Sequence, residues 1–277
     1  MSRPRYNIHA VTLTLLVVLS LSALAQSKEM SGRPDEEDGV VSILIPDSGF
    51  TAKAGLRSFT YEESSVDVEI SGPMLAIGLG YQHYTADYFL GLETEWSGGR
   101  LEYNGSTWEG QSITRDSDDW IFEARGLAGI NIITTPVAVY VFVGLGHRYW
   151  NNQIEGAGAY EREVQYLYSP LGVKVFGRLA ENWRWGVEAE CDLLLGGRVK
   201  SHLSDASDTL PDVTNEQDLG YGLRLSIPFT WRFHEGKELM FGPHIGYWDI
   251  DKSDVSQGFY EPANTTVVFG IQATLTF

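Results

Sequence analysis

Cysteine is almost absent from this chain, since Cys191 is the single one among 277 residues. It therefore cannot form an internal disulfide. Long hydrophobic runs are scarce too. After the run from Val11 to Leu24, no stretch approaches the roughly 18 consecutive apolar residues of a membrane-spanning helix. If the mature protein enters a membrane, it must therefore do so as β-strands.

Basic residues are also few. The chain has 20 Lys and Arg against 37 Asp and Glu, which gives a formal net charge of −17. This balance disfavours nucleic acid as a partner. Catalytic signatures are missing as well: there is no phosphate-binding Walker loop, no strand-linked Gly-x-Gly-x-x-Gly and no serine-centred nucleophile elbow. The sequence therefore favours a non-enzymatic role and predicts no cofactor.

The N-terminus has the pattern of a cleaved signal peptide over residues 1–25. Arg3 and Arg5 precede the apolar run, which ends in small residues at Ala25. A membrane anchor is the alternative, but the run is shorter than the roughly 20 residues that a spanning helix needs. Cleavage would leave 18 basic and 37 acidic residues, a charge of −19.

A leader at the periplasmic side is predicted for residues 26–50. Its first part is polar and acidic, whereas the stretch from Val40 to Ile45 is apolar. The sequence leaves three alternatives open for this stretch: an extra strand, a short plug, or a loop packed on the end of a barrel.

Strict alternation of apolar and polar side chains dominates the rest of the chain. From Asp218 to Phe233, eight successive odd-numbered residues are apolar, and the even-numbered ones include Arg224 and Arg232. From Trp183 to Leu195 the same period places Cys191 on the apolar face. A period of two over 11 to 18 residues predicts tilted membrane-spanning strands, and Cys191 is then a small lipid-facing residue rather than a nucleophile.

Ten such strands are predicted, at about 51–61, 74–84, 88–103, 119–132, 137–154, 163–178, 183–200, 218–233, 239–251 and 265–277. Their connections alternate between short turns and longer loops. This rhythm is typical of an up-and-down antiparallel barrel with both termini on the periplasmic side. The fold class predicted for residues 51–277 is therefore an all-β transmembrane barrel of about ten strands.

The last strand, Thr265 to Phe277, has one apolar face and ends the chain on an aromatic residue. In this it resembles the closing strand of bacterial outer-membrane β-barrels. The resemblance implies location in the cell outer membrane of a Gram-negative bacterium, contact with the lipid bilayer and lipopolysaccharide, and recognition of Phe277 by the barrel assembly machinery. It carries no signature of a particular family.

Charged residues of both signs occupy predicted lumen positions. Such charges would pair across a narrow barrel, because barrels of about eight strands are already just wide enough for side chains to fill. A largely plugged lumen is therefore predicted over a conducting pore. The predicted lumen cluster comprises Glu93, Glu95, Glu123, Arg125, Arg148, Lys174, Arg184, Glu188, Glu190, Arg224 and Arg232, with His244 nearby.

Two kinds of site are conceivable in the long connections. Divalent cations could bind the acidic loops, for example at Asp249, Asp251 and Asp254, but the glycine and distal glutamate of a calcium loop are missing. The ten-strand layout also resembles that of omptin proteases, which place an Asp-Asp pair and a His-Asp pair at the extracellular rim. The corresponding residues would be Asp116, Asp118 and Asp119, and His202 with Asp205.

The functional prediction is an outer-membrane barrel with a structural or surface-binding role and a largely filled lumen. A narrow, porin-like passive channel and an omptin-like surface protease are the alternatives. A soluble lipocalin-like carrier is the remaining structural rival.

Overall fold

The computed structural model describes residues 43–106 and 110–277, and within them almost the whole chain is β-strand. The predicted signal peptide and most of the predicted leader lie outside the described residues. The strands are β1 Gly49–Glu63, β2 Val68–Tyr84, β3 Tyr88–Ser106, β4 Ser112–Ile133, β5 Val137–Ile154, β6 Glu161–Ala180, β7 Trp183–Ser201, β8 Val213–Gln217, β9 Gly220–Ser226, β10 Phe229–His234, β11 Lys237–Ile250 and β12 Asn264–Thr276. One short helix, α1, spans Leu203–Ala206.

These segments form a closed barrel of ten antiparallel strands, because β8, β9 and β10 are successive pieces of the eighth strand. All three pair with β7, and β9 and β10 also pair with β11. The eighth strand is interrupted at Pro228, whose nitrogen has no hydrogen to donate to a ladder. The predicted fold class is confirmed, with each predicted strand present.

Barrel closure joins the last strand to the first. The β12–β1 ladder runs without a shift from Thr51 opposite Thr276 to Glu63 opposite Asn264. Beyond it, the backbone N–H of Phe50 donates to Phe277 O at 2.9 Å, and the N–H of Phe277 donates to Phe50 O at 2.9 Å. The terminal residue is thus the last rung of the seam.

The predicted long loops are shorter in the structure, because the strands continue beyond the apolar belt. The connections on that side span 64–67, 107–111, 155–160, 202–212 and 251–263. Glu62, Glu63 and Glu69 therefore lie on β1 and β2, Asp116 and Asp118 lie on β4, and Glu216 lies on β8. The predicted strand bounds left these six positions in the connecting loops, and that placement was wrong.

The outer wall carries a broad apolar belt. Its members are large hydrophobic side chains that remain exposed, among them Leu56, Leu75, Ile77, Leu79, Leu90, Leu92, Ile130, Val143, Leu145, Leu195, Ile245, Phe269 and Ile271. Aromatic side chains border the belt on the turn side with Phe50, Tyr81, Trp183, Trp231 and Phe233, and on the loop side with Trp96, Trp120, Tyr149, Tyr221 and Tyr247. Such paired girdles mark the two interfaces of a bilayer.

No helix in the described part of the chain is long and apolar enough to cross a bilayer.

Candidate functional site

The lumen holds many charged side chains, most of them in ion pairs. Alternation along the strands turns every member of the predicted lumen cluster inward, since the neighbouring positions carry the exposed belt residues. Glu93 and Glu95 come from β3, and the others from β4, β5, β6, β7, β9 and β10. The cluster therefore draws on six consecutive strands of the ring, the third to the eighth.

Two arginines tie opposite walls together at mid-height. Arg125 on β4 contacts Glu93 on β3 at 2.8 Å and Glu190 on β7 at 2.8 Å. Arg224 on β9 reaches across to Glu123 on β4 at 2.7 Å. The fourth and eighth strands lie on opposite sides of the ten-strand ring. These contacts therefore span the lumen rather than following one wall.

Further ion pairs surround these arginines. Lys174 forms an ion pair with Glu188 at 3.4 Å. Glu95 forms ion pairs with two residues of β1, Lys53 at 3.4 Å and Arg57 at 2.7 Å. Lys53 and Arg57 were missed by the sequence analysis. In the sequence, Lys53 and Arg57 alternate with the apolar Ala54 and Leu56, and this alternation could have identified both as lumen residues.

Asp192 is a second omission, and it is fully buried. Arg224 donates to it through Nε at 2.7 Å. The sequence pattern already placed Asp192 on the polar face of β7, so the inward position was predictable, but its partner was not.

Arg148 behaves differently from the other lumen cations. It is buried on β5, yet none of the described carboxylates lies within ion-pair distance of it. Its guanidinium instead lies 5.7 Å from the centre of the Trp248 ring, a cation–π arrangement. Arg148 thus borders the remaining free space of the lumen.

That free space is a polar cavity of about 180 Å³ at mid-height. Both ring nitrogens of His244 and the hydroxyl of Thr274 face this region without a hydrogen-bond partner among the described residues. Buried polar groups of this kind are normally satisfied, by water where protein is absent. The arrangement can hold a few water molecules between the ion pairs.

The turn-side end of the lumen is closed by the segment that precedes β1. Leu44 is completely buried among Tyr84, Phe89, Tyr140 and Phe142. Of the three alternatives left open for Val40 to Ile45, the described residues of this stretch, 43–45, have the position of a short plug inside the barrel end.

A second network fastens this plug. Arg184 donates to Ile43 O at 3.1 Å and pairs with Glu238 at 2.7 Å. Arg232 contacts both Glu238 and Asp47 at 3.0 Å. Arg184 and Arg232 thus belong to a group inside the barrel that is separate from the mid-height network.

The loop-side half of the lumen is filled by large side chains. Phe59 and Tyr61 on β1 contact Trp150 on β5, with ring centroids 5.5 and 5.0 Å apart. Tyr168 meets Trp248 at 5.2 Å. This aromatic layer contains further buried residues, Ile70, Met74, Leu101, Ile121, Val164, Tyr166, Val199 and Ile250. It separates the mid-height charges from the mouth.

One buried arginine and two buried carboxylates cross the mouth above this layer. Arg162 on β6 contacts Glu63 on β1 at 2.7 Å and Glu261 in the last loop at 2.8 Å. Burial raises the pKa of Glu261 to about 7, Arg162 opposes the rise and Glu63 adds to it. A proton on this group would neutralise the excess negative charge of the triad.

The last loop, 251–263, folds inward over the mouth. Asn215 donates to the carbonyls of Asp254 and Phe259, both at 3.1 Å, and Gln217 donates to Asp251 O at 3.0 Å. Both amides are buried on β8 and face the lumen. Together with Arg162 they hold this loop as a cap.

The residues named for an omptin-like site do not come together. Asp119 is buried and accepts hydrogen bonds from Trp150 at 2.7 Å and Asn152 at 3.1 Å. Asp116 is on the outer face of the same strand, paired with Arg100 at 2.9 Å, and Asp118 is exposed beside it.

His202 directly follows the end of β7, three strand positions along the ring from β4. It contacts Glu163 at 2.8 Å and Asp212 at 3.4 Å. Hydrogen bonds from Ser204 hold the pKa of Asp212 below its usual range. Asp205, the predicted partner of His202, instead accepts the backbone N–H of Glu161 at 3.4 Å. The predicted His-Asp pair was therefore assigned to the wrong aspartate.

Within the described ranges, no three His, Cys, Asp or Glu side chains are arranged to hold a metal ion. Asp249, one of the candidate cation ligands, accepts instead from the hydroxyls of Tyr221 at 3.5 Å and Tyr247 at 3.4 Å.

Comparison with solved structures agrees with this architecture. The outer membrane protease OmpT from Escherichia coli superposes with a TM-score of 0.53 over 84% of this chain and 98% of its own, at 8% identity. Neisserial surface protein A superposes with a TM-score of 0.35 over 84% of this chain and 99% of its own, at 12% identity. The Pseudomonas putida toluene transporter TodX superposes with a TM-score of 0.36 over 91% of this chain and 95% of its own, at 10% identity. No protein-family model and no curated protein sequence matches the chain.

The closed ten-strand ring, the exposed apolar belt and the fold shared with OmpT define the class of protein. The chain is a bacterial outer-membrane β-barrel, located in the outer membrane.

Proposed function

We propose that this protein is a non-conducting outer-membrane barrel that acts through its extracellular surface. The observation that carries the proposal is the filled lumen. A plug, a charged layer, an aromatic layer and a capping loop succeed one another along the barrel axis, with Leu44 at one end and Glu261 at the other. A continuous aqueous path would have to cross all four.

The surface role follows from the acidic outer wall above the belt. Carboxylates that face outward there are exposed or half-buried: Glu62, Glu69, Glu102, Asp116, Asp118 and Asp249. Lipopolysaccharide is itself anionic, so direct contact is unfavourable unless divalent cations bridge carboxylate and phosphate oxygens. We therefore place lipopolysaccharide and divalent cations among the partners of this proposal, in a role that supports membrane integrity.

Recordings from refolded protein in planar bilayers test the filled lumen. Wild-type protein is expected to give no stable conductance steps in salt solution, and stable, large steps would refute the proposal. Outer-membrane fractionation with heat-modifiable migration on a gel must accompany the recordings, because it shows that the protein is folded and inserted.

A narrow passive channel is the second candidate. It is favoured by the polar cavity and by Arg148, which borders it without a described carboxylate partner. Small, ion-selective steps that disappear on Arg148→Leu would support this candidate. The matched change Arg100→Leu, at an exposed ion pair outside the lumen, is expected to leave any conductance unaltered.

A surface protease is the third candidate, and its support is the pairing of His202 with Asp212 at 3.4 Å. General-base activation of water needs the base within hydrogen-bond reach, and Asp116 and Asp118 lie elsewhere on the ring. Peptide cleavage by intact cells that is lost in His202→Ala would establish this activity. Absent cleavage, or cleavage unchanged in the variant, would remove the candidate.

A further inference from the structure

An apolar groove follows the closing seam on the outside of the barrel. It has a volume of about 590 Å³, and its lining is almost wholly apolar. The lining side chains come from five neighbouring segments: Ala54, Leu56, Leu75, Phe229, Phe241, Pro243, Ile271 and Ala273, with the backbone near Gly55, Gly242 and Gln272 between them. We call this feature the seam groove.

Strand register explains why the wall is hollow here. Ala54 on β1 lies directly opposite Ala273 on β12, so two methyl groups form the floor where larger side chains occupy most of the belt. One step toward the mouth, Leu56 lies opposite Ile271. Both project strongly from the wall, with exposed fractions of 60% and 59%. They form the upper edge.

Aromatic rings form the side of the seam groove. Phe241 lies opposite Ala273 on one side and Phe229 on the other. The two rings have centroids 6.4 Å apart. The floor and this edge therefore belong to one hydrogen-bonded row that crosses four adjacent strands.

The wall next to these rings is held in a fixed shape. A Cβ added at Gly242 would lie 2.2 Å from Ile227 O, so no side chain fits between the strands there. Pro243 cannot donate a ladder hydrogen bond, but it accepts one from the N–H of Ile227 at 3.1 Å. Backbone packing therefore fixes the shape of the wall on this side of the seam groove.

The position of the seam groove identifies the chemistry of its occupant. It lies within the apolar belt, between the two aromatic girdles, where the surroundings are hydrocarbon. Its volume falls within the about 300–1,000 Å³ of ordinary small-molecule sites. We propose that the seam groove binds an acyl chain of an outer-membrane lipid, holding that lipid in a fixed place at the β12–β1 seam. This inference does not depend on whether the lumen conducts.

The test uses the full chain reconstituted in lipid nanodiscs that contain a phospholipid with a photoactivatable diazirine in its acyl chain. Wild type is compared with Ala273→Phe, which fills the floor. The matched control is Ala128→Phe, an exposed alanine of the belt on β4, between Leu90 and Val143. Gel migration before and after heating confirms that each variant is folded.

After illumination, crosslinks in wild type are expected to concentrate on peptides of β1, β11 and β12. Ala273→Phe should lose this concentration, and Ala128→Phe should retain it. Crosslinks spread evenly around the belt, or unchanged in Ala273→Phe, would overturn the proposal. So would a dimer of the wild-type chain, resolved by native gel electrophoresis in detergent, that disappears in Ala273→Phe, because the occupant would then be a second copy of the chain.

Discussion

Arg162 and Glu63 form an ion pair across the full width of the barrel mouth, with Nη1 and Oε1 2.7 Å apart. Arg162 comes from the sixth strand and Glu63 from the first, and five strand positions separate them in a ring of ten. Glu261 completes the group from the capping loop. All three side chains are only 7% exposed, so their loss should be felt in the stability of the barrel.

Arg162→Ala should therefore destabilise the folded protein. Removing one partner leaves two carboxylates buried without their cation, which costs about 3–5 kcal/mol in comparable buried pairs. Denaturant unfolding in detergent micelles, followed by tryptophan fluorescence, measures the change. Arg100→Ala is the control, because that arginine pairs with Asp116 on the exposed outer wall. It should cost far less than Arg162→Ala, because ion pairs on an exposed surface contribute little to stability. Equal effects of the two substitutions would contradict the prediction.

The capping loop should be held more firmly at acidic pH. In the closed cap the pKa of Glu261 is raised to about 7, above the ordinary value of 4.5 that it would have in an open, solvated loop. The closed form then binds more protons between these values, so its stability falls as pH rises from about 4.5 to 7. Protection factors for amide hydrogen exchange of residues 251–263, which correct for the pH dependence of the intrinsic exchange rate, should be higher near the lower of these pH values than above the upper one. Glu261→Gln should abolish this difference, and a difference that persists in the variant would assign it to another group.

The plug should open when a charge is placed in its apolar contact. Leu44→Asp puts a carboxylate among Tyr84, Phe89 and Tyr140, where burial of an unpaired charge is strongly unfavourable. The segment before β1 should leave the barrel end, and hydrogen exchange of the β2 and β5 strand ends that line it should become faster. Leu44→Met keeps the volume and the apolar character. It should behave like wild type, and identical exchange in Leu44→Asp would show that the segment does not depend on Leu44.

Deleting Phe277 should impair insertion into the outer membrane more than it alters the folded barrel. The ring is more than half exposed, and the residue adds two backbone hydrogen bonds to Phe50 at the end of the seam. Phe269→Ala removes an equally exposed ring from the same strand without shortening it. The fraction of protein in the outer membrane should fall in the deletion and stay near the wild-type level in the control. Normal insertion of the truncated chain would count against an assembly role for Phe277.

Much of the barrel was predictable because a period of two leaves a clear trace wherever one face meets lipid. Trp185, Val187 and Ala189 alternate with charged or small residues, and the pattern fixes both the strand and the direction of each side chain. Above the belt this signal disappears. Glu62 and Asp116 face water although they lie on strands, so the outer face there is as polar as a loop. The predicted strands therefore ended too early on the loop side of the belt.

The ion-pair partners on opposite walls of the lumen could not be predicted from the sequence. Alternation indicates that Arg224 points inward, but it does not say which carboxylate on the far wall lies at the same height. That depends on the stagger of ten strands and on where the ring closes. The pairing with Glu123 therefore emerged only from the structure, as did the contact between Arg162 and Glu63. Choosing the plug among the three alternatives was equally impossible, because the five apolar residues of the stretch 40–45 carry no mark of what they will cover.

The cross-lumen arginines also bear on how the chain can enter the bilayer. Glu123 and Arg224 belong to hairpins that are far apart in sequence, so a partly inserted sheet would present each charge to hydrocarbon alone. Neutrality arises only when both walls face each other. A partly inserted sheet is therefore energetically unfavourable in lipid. The lumen charges become paired with one another only when the ring closes.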